Sequence, residues 1–451
     1  MTISVLLLAA GILSAPWAAP ARTEPAATVR APLPALAPPP AEASGVTGSL
    51  DVEAATRAYL GELSGPARAR SDAYFEGGYW LMLWNFLSGA FIALLLLFTG
   101  YSARMRDRAE RITRRAYWRS AAYAAQYLVA VAVLSFPLEL YQGYFREHAY
   151  GLSHLTLGGW LGEWAKGLSL DVVLLAPALA VLYAIVRRVP RTWWLWGGVA
   201  AAAFVLFTIV LAPVVIVPVF NHPTRLTDER VTAAVLSLAR ANGLATDDVW
   251  EVDASKQTSR ISANVSGALG TARITLNDNL LARCSLPEIR AVMGHELGHY
   301  LMGHQYLVAF ALGVLALIGL AVVHALFQRI RDRFPGWGVR SIDDPAGLPL
   351  VALLFSAYVL VATPLTNSLT RSIEQQADSF GLNAAGEPDG FARAALRLAE
   401  YRKLEPTPLE EFVFYDHPSG RTRIRAAMRW KAEHPETWAP PAQPGREGGS
   451  R

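Results

Sequence analysis

The pentapeptide His295-Glu296-Leu297-Gly298-His299 has the residue types and the spacing of a metal-binding motif. On a helix, residues four apart lie on one face, so both imidazoles can contact the same ion. Glu296 directly follows the first histidine, from where its carboxylate can reach a water beside the ion and act as a general base. The same pattern also arises by chance in amphipathic helices. It therefore predicts a zinc site only if further ligands are available.

A helix around this motif is predicted by the residues that flank it. Ser285 is a favourable N-cap residue, Pro287 falls in the first turn, and Glu288 stands three residues after the cap, where it can complete a capping box. No proline interrupts residues 288–334. We therefore expect a helix that begins just after Ser285 and carries both histidines.

A third zinc ligand is expected, because catalytic zinc sites usually have three protein ligands and one open position. The chain has a single cysteine, Cys284, which excludes a cysteine-rich site and an intramolecular disulfide. The best candidates are Glu374 and Asp378, which lie four residues apart and share one face of a helix. One carboxylate can bind the ion while the other accepts a hydrogen bond from a ligating histidine. The alternative is that both carboxylates are solvated on a helix surface.

The composition predicts a mainly α-helical membrane protein with several spans. Of the 451 residues, 53% are hydrophobic and only 17% are charged, which is more apolar than a typical soluble domain. Several segments with few or no charges are long enough to cross a bilayer as helices. Six spans are predicted, at residues 80–99, 120–138, 168–186, 193–220, 305–328 and 348–365.

The two ends of the chain have the composition of segments outside a folded core. Residues 1–21 contain a short apolar block and a stretch of small residues, which is compatible with a signal peptide or with an N-terminal anchor. Residues 22–47 are rich in proline and alanine and are interpreted as an unfolded linker, which a pre-membrane segment continues to residue 77. Residues 431–451 are interpreted as a flexible tail.

Arginines are concentrated in alternate loops between the predicted spans. Because basic residues favour the cytoplasmic side, these loops are expected in the cytoplasm and the metal-binding motif on the opposite side. Basic clusters can also bind nucleic acid, but the membrane explains loops that border spans, and no nucleic-acid partner is expected. The arginines are Arg104, Arg106, Arg108, Arg111, Arg114, Arg115, Arg119, Arg187, Arg188, Arg191, Arg329, Arg331, Arg333 and Arg340.

Three separated motifs together resemble a known protein family. The pentapeptide at 295–299, the pair Glu374 and Asp378, and the tripeptide His417-Pro418-Ser419 are similar to motifs of the integral-membrane CAAX prenyl proteases and their bacterial relatives. The likeness extends over roughly residues 75–430, and it includes the segments 147–158, 212–221 and 262–265.

The resemblance implies a zinc metallopeptidase of the gluzincin type with one zinc ion per chain. It implies that Glu296 is the general base and that His417 stabilises the transition state, where a fixed hydrogen-bond donor is commonly worth about 3 kcal/mol. In this interpretation Arg423 pairs with Asp378 or Glu374 in support of the site, and Asn264 contacts the substrate backbone. Alternatively, Asn264 and His417 are turn residues and Arg423 is solvated. The implied zinc ligands are His295, His299 and Glu374.

The expected architecture is a gluzincin-like protease domain that is split by two spans and carries a small β-sheet. Alternating apolar residues at 249–252 and 274–276 predict this sheet, whose edge could pair with an extended peptide. The expected divisions are 1–21 signal peptide or anchor, 22–77 linker and pre-membrane segment, 78–220 four spans, 221–304 first protease part with the zinc helix, 305–366 two spans with a basic loop, 367–430 second protease part, and 431–451 tail.

These features predict a membrane-embedded zinc metalloendopeptidase that cleaves peptide or protein substrates, with lipid-modified ones among the candidates, in a bacterial inner membrane. One alternative is a quality-control protease on non-prenylated substrates, since the arginines place the zinc outside whereas the eukaryotic enzymes act on cytoplasmic proteins. A second is a catalytically weak scaffold, although a structural zinc site normally has four protein ligands. A third is a transporter that uses Glu139 and Asp171 within its spans.

Overall fold

The computed structural model describes residues 33–44, 50–211, 216–267 and 272–437. The interpretation of residues 1–21 as a signal peptide or anchor lies outside these residues, as does that of the tail beyond residue 437. Within the described residues the chain is mainly helical and carries one four-stranded sheet. The predicted fold class, a helical membrane protein with a small sheet, is confirmed.

The first half of the described chain is almost entirely helical. The helix Ala116–Leu140, α4, continues through a π turn, Tyr141–Phe145, and a last α-helical turn, Arg146–Ala149. Pro137 lies just before this π turn, where its missing N–H interrupts the regular hydrogen-bond ladder. The helices are α1 Val52–Glu62, α2 Gly65–Phe98, α3 Tyr101–Ile112, α4 Ala116–Leu140, α5 Leu157–Arg188 and α6 Trp193–Leu211, and a single turn, Val217–Phe220, follows.

A small mixed sheet with three helices follows the first six helices. The strands lie in the order β1-β2-β4-β3, with β2 and β4 parallel and the two edge strands antiparallel to their neighbours. Ile274 and Leu276 of β4 are fully buried and pack in one core with Met293 and Leu297 of α9. The elements are β1 Thr224–Arg225, α7 Glu229–Ala241, β2 Val249–Val252, β3 Ala263–Ser266, β4 Arg273–Asn277, α8 Asp278–Arg283 and α9 Leu286–Leu301.

The last part of the chain contains two long helices that connect the two ends of the molecule. Helix α10 begins at His304, next to His299, and ends at Arg333, in the basic loop between the last two predicted spans. Helix α11 runs back, and its last turns carry Glu374 and Asp378. The helices are α10 His304–Arg333, α11 Leu348–Ala385, α12 Pro388–Leu398, α13 Pro408–Phe414 and α14 Gly420–Glu433, with 3-10 turns at Pro335–Trp337, Pro345–Gly347 and Pro435–Thr437.

Five of the described helices are long and apolar enough to cross a bilayer: α2, α4 with its continuation, α5, α10 and α11. The fourth of the six predicted spans, residues 193–220, is not among these five helices. It contains α6, whose apolar part Trp193–Ile209 is shorter than the other five helices. In the sequence, Pro213 follows two residues after Leu211, and a proline disfavours a helical conformation in the residue before it.

The membrane helices enclose a cavity of ≈ 760 Å³. Most of its lining is apolar, but Glu139 and Asp171 also face it. Glu139 accepts hydrogen bonds from the Ser135 hydroxyl at 2.6 Å and from the Trp164 indole at 2.8 Å. Partly buried carboxylates therefore line a hollow bundle, within which the side chain of Glu139 is held by its neighbours.

The segment interpreted as a linker contributes to the core of the molecule. Ala43, in a 3-10 turn, is fully buried, and Tyr59 of α1 is also fully buried and donates a hydrogen bond to Asp389 at 2.7 Å. Lys431 of α14 donates to the Ala43 carbonyl at 2.9 Å. The interpretation of residues 33–44 as part of an unfolded linker is therefore wrong. A proline-rich composition indicates a locally stiff chain, but it does not show whether neighbouring helices bury the segment. Helix α14 likewise extends past the boundary at residue 431.

Candidate metal centre

Helices α9 and α11 approach each other closely because glycines face each other across the contact. A Cβ atom added at Gly381 would lie 2.7 Å from the backbone nitrogen of His295. One added at Gly294 would lie 2.9 Å from the Gly381 carbonyl oxygen, and one at Gly298 would lie 3.2 Å from Ala377 Cα. Since no side chain separates the two backbones, the histidines of α9 reach the carboxylates of α11.

The N-terminus of α9 is held by the residues that the sequence analysis singled out. The Ser285 backbone N–H donates to Glu288 Oε2 at 2.7 Å, and the Ser285 hydroxyl donates to the same oxygen at 2.6 Å. Arg397 of α12 donates to the other carboxylate oxygen at 2.6 Å. The predicted start of this helix is therefore confirmed, and α12 is tied to it through Arg397.

Three potential ligand side chains converge at the contact between α9 and α11. The Nε2 atoms of His295 and His299 lie 3.0 Å apart, and the two oxygens of Glu374 lie 3.3 and 3.4 Å from them. All three ligand atoms lie within 4.8 Å of one another. Glu374 Oε2 is buried and has no hydrogen-bond partner among the described residues. Two imidazoles and one carboxylate in this arrangement fit a single divalent ion with an open position, the donor set typical of catalytic zinc.

A buried ion pair between Asp378 and Arg423 lies next to His295. Asp378 Oδ1 lies 2.8 Å from His295 Nδ1, and Arg423 of α14 donates to both oxygens of Asp378, at 3.0 and 2.6 Å. Burial alone would lower the pKa of His295, but Asp378 and Glu374 outweigh it and raise that pKa to about 10. The carboxylates therefore stabilise positive charge at this point, whether a proton or a metal ion supplies it.

Two further candidate residues lie beside the ligand cluster. Burial raises the pKa of the Glu296 carboxyl, while the positive charges of His295 and His299 act in the opposite direction. His417 lies in the loop between α13 and α14, with its Nε2 atom 3.4 Å from Glu374 Oε2. Its Nδ1 atom is 2.8 Å from the Asp416 carboxylate, which orients the ring. The cluster thus combines ligands with a carboxylate and an imidazole that can exchange protons.

Two family models match adjacent parts of the chain. Peptidase family M48 matches residues 225–431, and a model described as CAAX prenyl protease N-terminal, five membrane helices, matches residues 58–222. The chain belongs to peptidase family M48. It is a membrane metallopeptidase with several spans, which confirms the family and the reaction type predicted from the motifs, and the family implies a metal cofactor.

Relatives of known sequence and structure cover most of the chain. The uncharacterized metalloprotease YhfN of Bacillus subtilis (strain 168) is 27% identical over 75% of this chain and 80% of its own length. CAAX prenyl protease 1 of Saccharomyces cerevisiae is 26% identical over 65% of this chain and 68% of its own. The crystal structure of S. mikatae Ste24p matches with a TM-score of 0.67 at 21% identity, covering 81% of this chain and 89% of that one. This structural likeness shows that the M48 chain has the same fold.

Sequence reasoning missed one residue that touches the ligand cluster of this M48 peptidase. His304 is buried, and its Nδ1 atom lies 3.0 Å from Nδ1 of His299. His304 lies five residues after His299, which is not the spacing of residues on one helical face. That rule does not apply here, because α9 ends at Leu301. Gly303 has a φ of 66° and turns the chain, so that α10 begins with His304 next to His299. The glycine just beyond the motif was a signal for this break.

The candidate substrate residue Asn264 lies apart from the ligand cluster, on a strand and not in a turn. It is exposed in β3, which is an edge strand of the sheet among the described residues, and it pairs with Thr275 of β4. Ala263 and Val265 of the same strand pack against the core that contains Leu297 of α9. The edge of the sheet therefore runs beside the helix that carries the histidines.

The loop after α4 holds the segment that leads into β3. The Leu152 carbonyl accepts hydrogen bonds from the Thr258 hydroxyl at 2.9 Å and from the Ser259 N–H at 3.3 Å. Glu147 accepts from Arg260 at 2.8 Å. This loop is the family-like segment found in the sequence analysis, and the contacts show how a membrane loop positions the edge strand.

Proposed function

We propose that this M48 peptidase is a zinc endopeptidase in which His295, His299 and Glu374 hold the metal ion. The convergence of their ligand atoms within 4.8 Å of one another is the observation that carries the proposal. When bound, zinc lowers the pKa of a coordinated water and polarises the carbonyl of the scissile peptide bond. A scaffold with structural zinc would require a fourth protein ligand, and none is grouped with these three among the described residues.

The remaining residues of the cluster supply proton transfer and charge stabilisation. Glu296 takes a proton from the attacking water and delivers it to the leaving nitrogen of the substrate. His417, oriented by Asp416, donates a hydrogen bond to the developing oxyanion. Arg423 holds Asp378, which fixes the ring of His295.

Asn264 is proposed to hydrogen-bond to the backbone of an extended substrate. The substrate would add to the sheet along β3, whose main chain supplies further hydrogen bonds. The exposure of Asn264 and the edge position of β3 beside α9 support this role. A peptide bound there would run beside the histidines.

We propose that the zinc site lies on the non-cytoplasmic face of a bacterial inner membrane. The three arginine-rich loops meet at the opposite end of the bundle, where Arg106 pairs with Asp344 at 2.8 Å and Arg340 pairs with Glu110 at 2.7 Å. Basic loops favour the cytoplasm. Residues 33–44 and 50–62 dock at the zinc end, the side to which an export signal in residues 1–21 would deliver them.

The orientation is tested by a reporter fused after residue 437, since α14 ends at the zinc end of the molecule. Alkaline phosphatase, which is active only outside the cytoplasm, is expected to be active there, and a green fluorescent protein fusion is expected to stay dark. The opposite pattern would reject this orientation.

Two substrate classes are supported by different observations. The names of several relatives, CAAX prenyl proteases, favour C-terminal peptides that carry a prenylated cysteine. The arginine distribution favours a second candidate, non-prenylated proteins of the non-cytoplasmic face, in a quality-control role. Both classes would be cleaved by the same zinc chemistry.

One experiment tests the activity and separates the two classes. The purified full chain is incubated with a farnesylated peptide and with the same peptide lacking the lipid, each with and without a zinc chelator, and the products are identified by mass spectrometry. Cleavage that requires zinc supports the proposed function, and preference for one peptide identifies the class. Undiminished cleavage after complete zinc removal, verified by elemental analysis, would falsify the proposal.

A further inference from the structure

A second cavity, which is polar, lies at the arginine-rich end of the molecule. This end of α10 and α11 is the one opposite the metal centre. The cavity has a volume of ≈ 170 Å³, and it lies between α3, α4, α5 and the loop that precedes α11. Because a water molecule occupies about 30 Å³ in the liquid, the cavity has room for a phosphate-sized group. Four arginines line it: Arg106, Arg119, Arg187 and Arg340.

Two of these arginines are neutralised by carboxylates. Arg106 donates to Asp344 at 2.8 Å, and both side chains are almost fully buried. Arg340 donates to Glu110 at 2.7 Å. These pairs form the frame of the cavity, and their positive charges are not available to a ligand.

The other two arginines have donor groups to spare. The side chain of Arg119 makes no hydrogen bond or ion pair with any residue that the structure describes, although it is only partly exposed. Arg187 uses one nitrogen, which donates to the Ser120 hydroxyl at 3.0 Å. The lining holds one acid outside these two pairs, Asp343, which accepts a hydrogen bond from the Ser341 hydroxyl. Two guanidinium groups thus share one cavity without two carboxylates to balance them, an arrangement that attracts an anion.

The position of these two arginines along their helices points to the membrane surface. Arg119 lies in the first turn of α4 and Arg187 in the last turn of α5, and both helices are long enough to span a bilayer. Both side chains therefore lie where the hydrocarbon core meets the headgroups. Basic pockets between spans at this level are suited to anionic lipid headgroups.

We propose that Arg119 and Arg187 bind the phosphate group of an anionic phospholipid at this end of the bundle. The guanidinium groups bind its oxygens with several N–H groups each, and the acyl chains run along the exposed surface of α4 and α5. This site is separate from the metal centre, and its ligand is a structural lipid and not a substrate.

The test compares two double variants of the full chain that remove the same charge. R119Q/R187Q alters the cavity, whereas R188Q/R191Q removes two exposed arginines at the same end that do not line it. Lipid binding is measured by native mass spectrometry of the detergent-purified proteins, with added phosphatidylglycerol or phosphatidylcholine. We expect R119Q/R187Q to bind phosphatidylglycerol on the order of tenfold more weakly, and R188Q/R191Q to bind it like the unaltered protein.

Two further measurements identify the source of the phosphate and control for misfolding of the variants. Inorganic phosphate at millimolar concentration is expected to leave the lipid bound; a phosphate adduct that replaces the lipid would overturn the lipid assignment. Since the Arg119 side chain makes no hydrogen bond or ion pair with a described residue, the single variant R119Q is expected to preserve the fold and should still lose most of the affinity. Equal losses in both double variants, or equal binding of the zwitterionic lipid, would show a general charge effect and overturn the site.

Discussion

The metal centre and the arginine-rich end are both clusters of charged residues, but they differ in how firmly the charges are held. At the metal centre, Glu374 and Asp378 are 7% and 4% exposed, and two helices bring their backbones into contact to place them. At the arginine-rich end the Arg106–Asp344 pair is also buried, but Arg340 and Glu110 pair with side chains that are 58% and 32% exposed. Water can replace the partner of an exposed charge, whereas a buried charge depends on the protein for every partner.

This difference teaches where the chain tolerates change. A buried network requires each member at a defined distance, so the loss of one member affects the others. An exposed pair contributes little on its own, so its loss has a local effect. The same chemical substitution, a carboxylate changed to its amide, should therefore have very different results at the buried Asp378 and at the more exposed Glu110.

The largest expected effect is that of E296Q. If Glu296 is the general base, peptide hydrolysis should fall by about 10²–10⁴-fold, while the metal content stays unchanged because Glu296 is not a ligand. Turnover is measured with a cleavable peptide and metal content by plasma mass spectrometry. The control E229Q changes an exposed glutamate in the first turn of α7 and should retain full activity. Turnover of E296Q close to that of the control would contradict the assignment.

A smaller but still large effect is expected for D378N. The amide cannot balance the buried Arg423 and no longer fixes the ring of His295, so metal affinity should fall about 10–100-fold. Loss of a buried charge partner should also cost about 3–5 kcal/mol of stability. Affinity is measured by competition with a zinc-binding dye, and stability by thermal unfolding. Unaltered zinc affinity in D378N would separate Asp378 from the metal centre.

The close contact of α9 and α11 is tested by G381A. The added methyl group would meet the backbone nitrogen of His295, and overpacking of this kind costs about 1–3 kcal/mol. We expect a lower unfolding temperature together with weaker zinc binding, because the helices must separate. The control is G61A in α1, where an added Cβ meets nothing within 4 Å and alanine favours the helix. Equal behaviour of the two variants would show that the close approach does not determine the site.

The smallest effect is expected at the other end of the molecule, for E110Q. This variant removes the closer of two carboxylate partners of Arg340 at an exposed position, and such pairs are typically worth less than about 1 kcal/mol. Peptide hydrolysis and zinc content should stay unchanged, and the unfolding temperature should shift only slightly. If E110Q reduced stability as much as D378N, the proposed contrast between the two ends would fail.

Local features of the sequence predicted much of this architecture. Ser285 and Glu288 defined the start of α9, and uncharged runs predicted the membrane helices, because capping and hydrophobicity act over a few neighbouring residues. The spacing of the histidines likewise required only the geometry of a single helix. The same local reasoning missed the burial of Ala43, since the residues that cover it lie far away in the sequence.

By itself, the sequence determined the reaction type, the family and the membrane class of this protein, because these follow from residue types at short spacing and from summed hydrophobicity. Only the tertiary structure decided that α11 is one continuous helix from the membrane to Glu374, that its glycine lies against α9, and that His304 turns back beside His299. Such contacts depend on how helices pack. Packing is set by many side chains from distant segments at once and not by any local pattern.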